Sequence, residues 1–161
     1  MTLSEDITFI GPSAFCGNYF SEVNYNCNAD GESEYNTEAI FRKSYIPILN
    51  IGENVTKIPA WAFYQAYFEF SDFIINVETI GEHAFGYAWT SNMPVNLTVG
   101  ERVTSIDKCG LGDLYINHLQ YNANATMPYS YYGAFEDSVI SSLDIGENVT
   151  KIGNYIFKRE R

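Results

Sequence analysis

The chain alternates short apolar triplets with polar turns, and the alternation recurs. In Leu49-Asn-Ile51 two apolar residues flank a polar one, the period-2 mark of a short strand with Leu49 and Ile51 facing inward. Gly52-Glu53-Asn54 follows as turn chemistry, since Gly and Asn tolerate left-handed backbone angles. Val55 and Ile58 then return apolar side chains to the core. Ala60-Trp-Ala-Phe63 reads as one short helical turn, its small Ala residues permitting close packing.

This block is copied along the chain. Leu49-Asn-Ile-Gly-Glu-Asn-Val-Thr-Lys-Ile58 recurs as Leu143-Asp-Ile-Gly-Glu-Asn-Val-Thr-Lys-Ile152 and, more loosely, as Leu97-Thr-Val-Gly-Glu-Arg-Val-Thr-Ser-Ile106. A degenerate copy, Met1-Thr-Leu-Ser-Glu-Asp-Ile-Thr-Phe-Ile10, opens the chain. The units close on Phe15, Phe41, Phe63, Phe85, Leu111, Phe135 and Phe157, which makes seven units of about 23 residues. A longer period is also present, because Tyr25-Asn-Cys-Asn-Ala29 matches Tyr121-Asn-Ala-Asn-Ala125 at an offset of 96. One unit offers about five core side chains, each worth roughly 1.5–3 kcal/mol. Ordering its backbone costs roughly 1–2 kcal/mol per residue. A single unit is therefore unstable, and stability requires stacking of neighbours. The expected fold is an α/β solenoid of about seven turns, with short parallel strands and short helical turns. Crossover chirality favours right-handed winding.

The consensus Leu-x-Ile-Gly-Glu-x-Val-Thr-x-Ile-x-x-x-Ala-Phe resembles the BspA-type, or Treponema pallidum-type, leucine-rich repeat. Trp61-Ala-Phe63, His83-Ala-Phe85 and Tyr155-Ile-Phe157 stand where that family has Tyr-Ala-Phe. Residues 1–161 then form a single right-handed leucine-rich-repeat solenoid. The resemblance implies a secreted or cell-surface microbial protein and a protein-binding or adhesion role without catalysis. Its partner would be a protein such as a host surface or matrix protein. The units closing on Phe41 and Phe135 depart from the consensus, with Asn36 and Ser130 at core positions, so a bulge or longer loop is expected there.

Composition narrows the function. With 9 Lys+Arg against 20 Asp+Glu the net charge is −11, which disfavours nucleic acid as a partner. No apolar run approaches the ~20 residues of a membrane span, so membrane insertion is not expected. The first residues lack the basic-then-apolar pattern of a signal peptide. Cys16, Cys27 and Cys109 are too widely spaced to read as a disulfide framework, though a Cys16–Cys27 pair stays open. No metal-ligand spacing, nucleophile elbow or phosphate loop is present, and no cofactor or catalysis is expected. His83 sits inside the repeat motif and reads as a packing residue. Four Asn-x-Thr sequons, at Asn54, Asn96, Asn124 and Asn148, matter only in a eukaryotic source.

Two candidate binding surfaces follow. The residue between the inward strand positions faces outward, so Thr2, Asn24, Asn50, Ile74, Thr98, Gln120 and Asp144 form one column. It reads either as a flat recognition surface or as a solvated polar ladder. The linking segments hold aromatics, with Tyr67, Tyr87, Trp89 and Tyr131 the candidate ligand anchors. Tyr129 and Tyr132 lie among them. Such anchors serve a protein or, as an alternative, a sugar ring. A structural spacer array remains a competing class. Glu5, Glu53, Glu101 and Glu147 form an acidic column too sparse for calcium, which needs about six converging oxygens. Neither end carries a polar cap, which points to an excerpt of a longer array or to end-to-end self-association.

Overall fold

The computed structural model describes residues 1–31, 35–90, 94–128 and 130–159. They wind into a parallel β-solenoid of about 6 turns with three strand-bearing faces. The first face holds the seven triplets as strands Thr2–Leu3, Val23–Tyr25, Leu49–Ile51, Asp72–Ile75, Val95–Val99, Tyr115–Tyr121 and Val139–Ile145. Seven rungs enclose six turn-to-turn steps, which is why the count falls below the seven turns expected. All pairs are parallel, and they divide into a three-stranded sheet and a four-stranded one, with the break between Leu49–Ile51 and Asp72–Ile75. The second face carries Phe9–Ile10 with Asp30–Gly31, then Lys57–Ile58, Thr79–Ile80 and Ser105–Ile106. The third carries Tyr45–Ile46, Tyr67–Phe68 and Trp89–Thr90. In the last two turns the third-face and first-face segments fuse into seven-residue strands.

The α component of the expected class is not found. Among the described residues the one helix is a three-residue 3-10 turn, Asn36–Glu38, in a unit that departs from the consensus. Ala60–Phe63 is a chain of tight turns instead. The reason is where its N–H groups go. Alternate ones, from Trp61, Phe63 and Gln65, donate to Glu82, Ala84 and Gly86 carbonyls one turn on, at 2.8–3.0 Å. Those between, from Ala62, Tyr64 and Ala66, donate three residues back along the chain. A helix would send all of them four residues back. To alternate in this way the backbone places one residue in every few in the left-handed region. Trp61, His83, Cys109 and Tyr155 occupy one such column, with φ between 50° and 64°. Gly17, Lys43, Gln65, Tyr87, Asp113 and Asp137 occupy a second, each two residues beyond a closing Phe or Leu.

The closing residues form the spine of the core. The rings of Phe15, Phe41, Phe63 and Phe85 stack at 5.0–5.2 Å, nearly parallel, and Phe135 stacks on Phe157 at 5.3 Å. Leu111 stands between the two stacks. Around the spine lie buried Ile58, Ile80, Ile106, Val55 and Val103, in the roles their repeat positions predict.

Gly52, Gly100 and Gly146 serve space, not a left-handed turn; the one described glycine with positive φ is Gly17. A Cβ on any of the three would sit 2.2–2.4 Å from the Oδ1 of Asn26, Asn76 or Asn122 on the preceding turn. These asparagines alternate with the glycines, one every second turn, so the offset of 96 spans two such alternations. Asn28 and Asn124 accept the N–H groups of Thr56 and Thr150 at 2.7 and 2.8 Å and donate to the carbonyls of Asn54 and Asn148. Turns rich in Asn thus pin the Gly-Glu-x-Val-Thr turns that follow. The pinned turns also reach one another across the intervening one, as Arg102 donates to the Glu53 and Val55 carbonyls at 2.6 and 3.2 Å.

Candidate functional site

The strand-face positions align in two runs, Thr2 to Asn50 and Ile74 to Asp144, with the sheet break between them. Thr2 pairs with Asn24 and Asn24 with Asn50, while Thr98 pairs with both Ile74 and Gln120, and Gln120 with Asp144. Its polar members bond mostly to each other or to close neighbours. Asn50 Nδ2 donates to Asn24 Oδ1 and to Glu22 Oε1, both at 2.8 Å, and Gln120 donates to Asn122 at 2.8 Å. Ile74 is the exposed apolar member, at 67%. This surface is flat and its hydrogen-bonding capacity is partly spent internally.

The third face is different. Four residues beyond the first five closing residues stand Tyr19, Tyr45, Tyr67, Trp89 and Tyr115, an aromatic at five successive turns. The outward register is backbone-enforced: Tyr19 bridges to Tyr45, and Tyr67 pairs with both Tyr45 and Trp89. Tyr45 is half-buried and donates its hydroxyl to Glu69; the other four are exposed. The Tyr67 and Trp89 rings lie nearly parallel, 18° apart, with centroids at 6.5 Å. Strand alternation drives this ladder, because the next residue along each rung (Ile46, Phe68, Ile116) points inward and is buried.

Between Trp89 and Tyr115 the ladder opens into a cleft of about 210 Å³ lined by Tyr87, Ala88, Trp89, Asp113, Tyr115 and Asp137. A second hollow shares Tyr87, Asp113 and Asp137 and continues to His83, Lys108 and Glu136. Tyr87, Asp113 and Asp137 occupy the same left-handed corner on consecutive turns, so stacking brings them together. Burial first, and then the like charge of Asp137, push the Asp113 carboxyl up to about 6, opposed by a hydrogen bond from Tyr87. The Asp113 charge in turn raises the Tyr87 hydroxyl. Lys108 is held by Glu82 at 2.8 Å. His83 stacks on Trp61 at 4.2 Å, and burial lowers its pKa; its packing role is as expected from the motif.

Of the four aromatics named from sequence, Tyr67, Tyr87 and Trp89 come together here. Tyr131 does not line the cleft; it lies under the Lys158 ammonium at 4.7 Å and beside Tyr132, which lines the adjoining hollow. Tyr129 lies outside the described residues. Tyr64 and Phe68, also in the linking segments, are core. Tyr19, Tyr45, Tyr115, Asp113 and Asp137 were missed. Their signal was present: each lies two or four residues after a closing residue. Cys16, Cys27 and Cys109 are free thiols, so the Cys16–Cys27 pair is not formed.

A sequence profile described as BspA type Leucine rich repeat region matches residues 1–93 and 87–161, in 6 copies. No curated protein and no solved structure matches the chain.

Proposed function

The chain belongs to the BspA-type leucine-rich-repeat family, and from that premise we propose that it is a non-catalytic protein-binding module whose contact surface is the aromatic ladder of the third face. The observation that carries the reading is the concentration of Tyr67, Tyr87, Trp89 and Tyr115 on three successive turns, all 44–54% exposed. Exposed Tyr and Trp bring large contact area with little side-chain entropy to lose, and they dominate binding energy where they cluster. A spacer array has no reason to concentrate them. Repeat stacking supplies a rigid, elongated platform, which keeps the ordering cost of association low.

The flanking carboxylates of the cleft also suit a sugar, which is the second reading. Ring geometry favours protein. The Tyr67 and Trp89 rings stack on each other, 18° from parallel with centroids at 6.5 Å, so each ring covers part of the other's face. A sugar stacks on an open ring face.

The setting proposed with this role is secreted or cell-surface, and the partner proposed is a protein such as a host surface or matrix protein. The test is surface plasmon resonance against a panel of purified matrix and cell-surface proteins. Wild type is compared with a Tyr67→Ser, Trp89→Ser, Tyr115→Ser triple variant. Saturable binding to a panel member that weakens at least tenfold in the triple variant, with the far-UV spectrum retained, supports the reading. Equal binding by both proteins moves the contact surface elsewhere, and binding to none favours a spacer.

A further inference from the structure

We propose that the cleft between Trp89 and Tyr115 receives a single basic side chain, a lysine or arginine of the protein partner. This deepens the protein-binding reading and rests on it.

Shape comes first. At about 210 Å³ the cleft is smaller than the 300–1,000 Å³ typical of small-molecule sites, and it suits one side chain. Its walls are Tyr87, Ala88, Trp89 and Tyr115, which are apolar or aromatic and able to pack along an alkyl stem. Its polar groups are the carboxylates of Asp113 and Asp137, placed together by the corner column.

Charge comes second. Among the described residues no ion pair reaches Asp113 or Asp137; the three formed are Lys57–Asp30, Lys108–Glu82 and His118–Asp144. The groups facing Asp113 are Tyr87 on the preceding turn and Asp137 and Glu136 on the following one. Glu136 is buried and accepts the Gly133 N–H at 2.9 Å, and Cys109 lies within the same corner. Lys108, the one cation at the adjoining hollow, is engaged by Glu82. Burial of Asp113 and, second, the like charge of the exposed Asp137 oppose its ionisation and raise its carboxyl to about 6. A cation seated between them removes the repulsion and gains attraction to the Trp and Tyr rings. Two carboxylates fall short of the six to eight oxygens that calcium takes, and an apolar side chain would leave both charges uncompensated.

The test uses three peptides, Ac-Ala-Ala-X-Ala-Ala-amide with X as Lys, Arg or norleucine, and a hexose oligomer. Binding is read from the Trp89 indole resonance. Two variants lose the same charge: Asp113→Asn with Asp137→Asn, and Glu5→Gln with Glu53→Gln at a distant column. The proposal expects the Lys or Arg peptide to shift Trp89, norleucine to do so at least fivefold more weakly, and the Asp pair to cost at least fivefold in affinity. The Glu pair should change affinity by less than twofold. Affinity should fall as pH drops from 7.5 to 5, when Asp113 takes a proton. Equal losses in both variants, equal binding of norleucine, or a Trp89 shift by the hexose oligomer but by neither basic peptide overturns it. If neither the Lys nor the Arg peptide binds while the aromatic triple variant still abolishes partner capture, the basic-side-chain assignment falls and the protein-binding reading stands.

Discussion

At the residue scale, the corner column shows how a repeat turns sequence position into chemistry. Six of the seven closing residues are followed two places later by a left-handed residue, and the array fills that corner with Gly17, Lys43, Gln65, Tyr87, Asp113 and Asp137. Only glycine is at ease there; an L-residue pays roughly 1 kcal/mol or more. At Asp113 a second cost is added, because burial and Asp137 oppose its ionisation. The folded pKa of about 6 lies above the ordinary 3.8, so the native state holds a proton that the unfolded chain releases. Stability from this group is fully present below about pH 4 and is lost as pH rises through 6. Solvent screening of this half-exposed group holds the effect to about 1 kcal/mol. Asp113→Asn should therefore melt a few degrees above wild type at pH 7.5, with the gap narrowing by pH 4.5. A gap that stays constant across that range would trace the gain to backbone preference alone.

At the scale of the element, each turn is stabilised by the one before it. Asn76 accepts the Arg102 N–H at 3.0 Å and occupies the space where Gly100 would carry a Cβ, 2.2 Å from its Oδ1. Gly100→Ala must push Asn76 aside and is expected to cost about 1–3 kcal/mol in urea unfolding. The same change in an Asn76→Ala background should cost clearly less, since the obstructing atoms are gone. Additive costs in that cycle would mean that Gly100 serves another purpose. A Gly-Glu-Asn-Val-Thr string looks like a turn that needs a flexible glycine. Its actual constraint is a side chain from another turn, which local sequence cannot display. The same holds for Ala60–Phe63, where helix propensity yields to hydrogen bonds between turns.

At the scale of the whole molecule, the interior is nearly continuous and the last turn is its exception. Leu143 and Ile152 are 42% and 47% exposed although their repeat equivalents Leu49 and Ile58 are buried, and Ile145 is 42% exposed where its equivalent Ile51 is half-buried. They present an apolar rung, and among the described residues the strand Val139–Ile145 pairs on one side alone, with Tyr115–Tyr121. The isolated 161 residues are expected to self-associate through it in sedimentation velocity at tens of micromolar. Leu143→Lys with Ile145→Lys should restore a monomer. A monomer in the unaltered chain would show that this rung is tolerated in water.

Periodicity alone determined that this is a stacked array, where its seven rungs lie, which strand residues face outward and that a closing Phe forms the core. Those features follow from local alternation and from burial that a single unit cannot complete. Tertiary structure decided the rest. Exposure of Tyr67, Trp89 and Tyr115, against burial of Tyr64 and Phe68 in the same segments, depends on which way each third-face rung turns its side chains. The meeting of Asp113 with Asp137, 24 residues apart in sequence, depends on the rise from one turn to the next. Distances between turns are set by stacking, and stacking is a property of neighbours, so no single unit carries it.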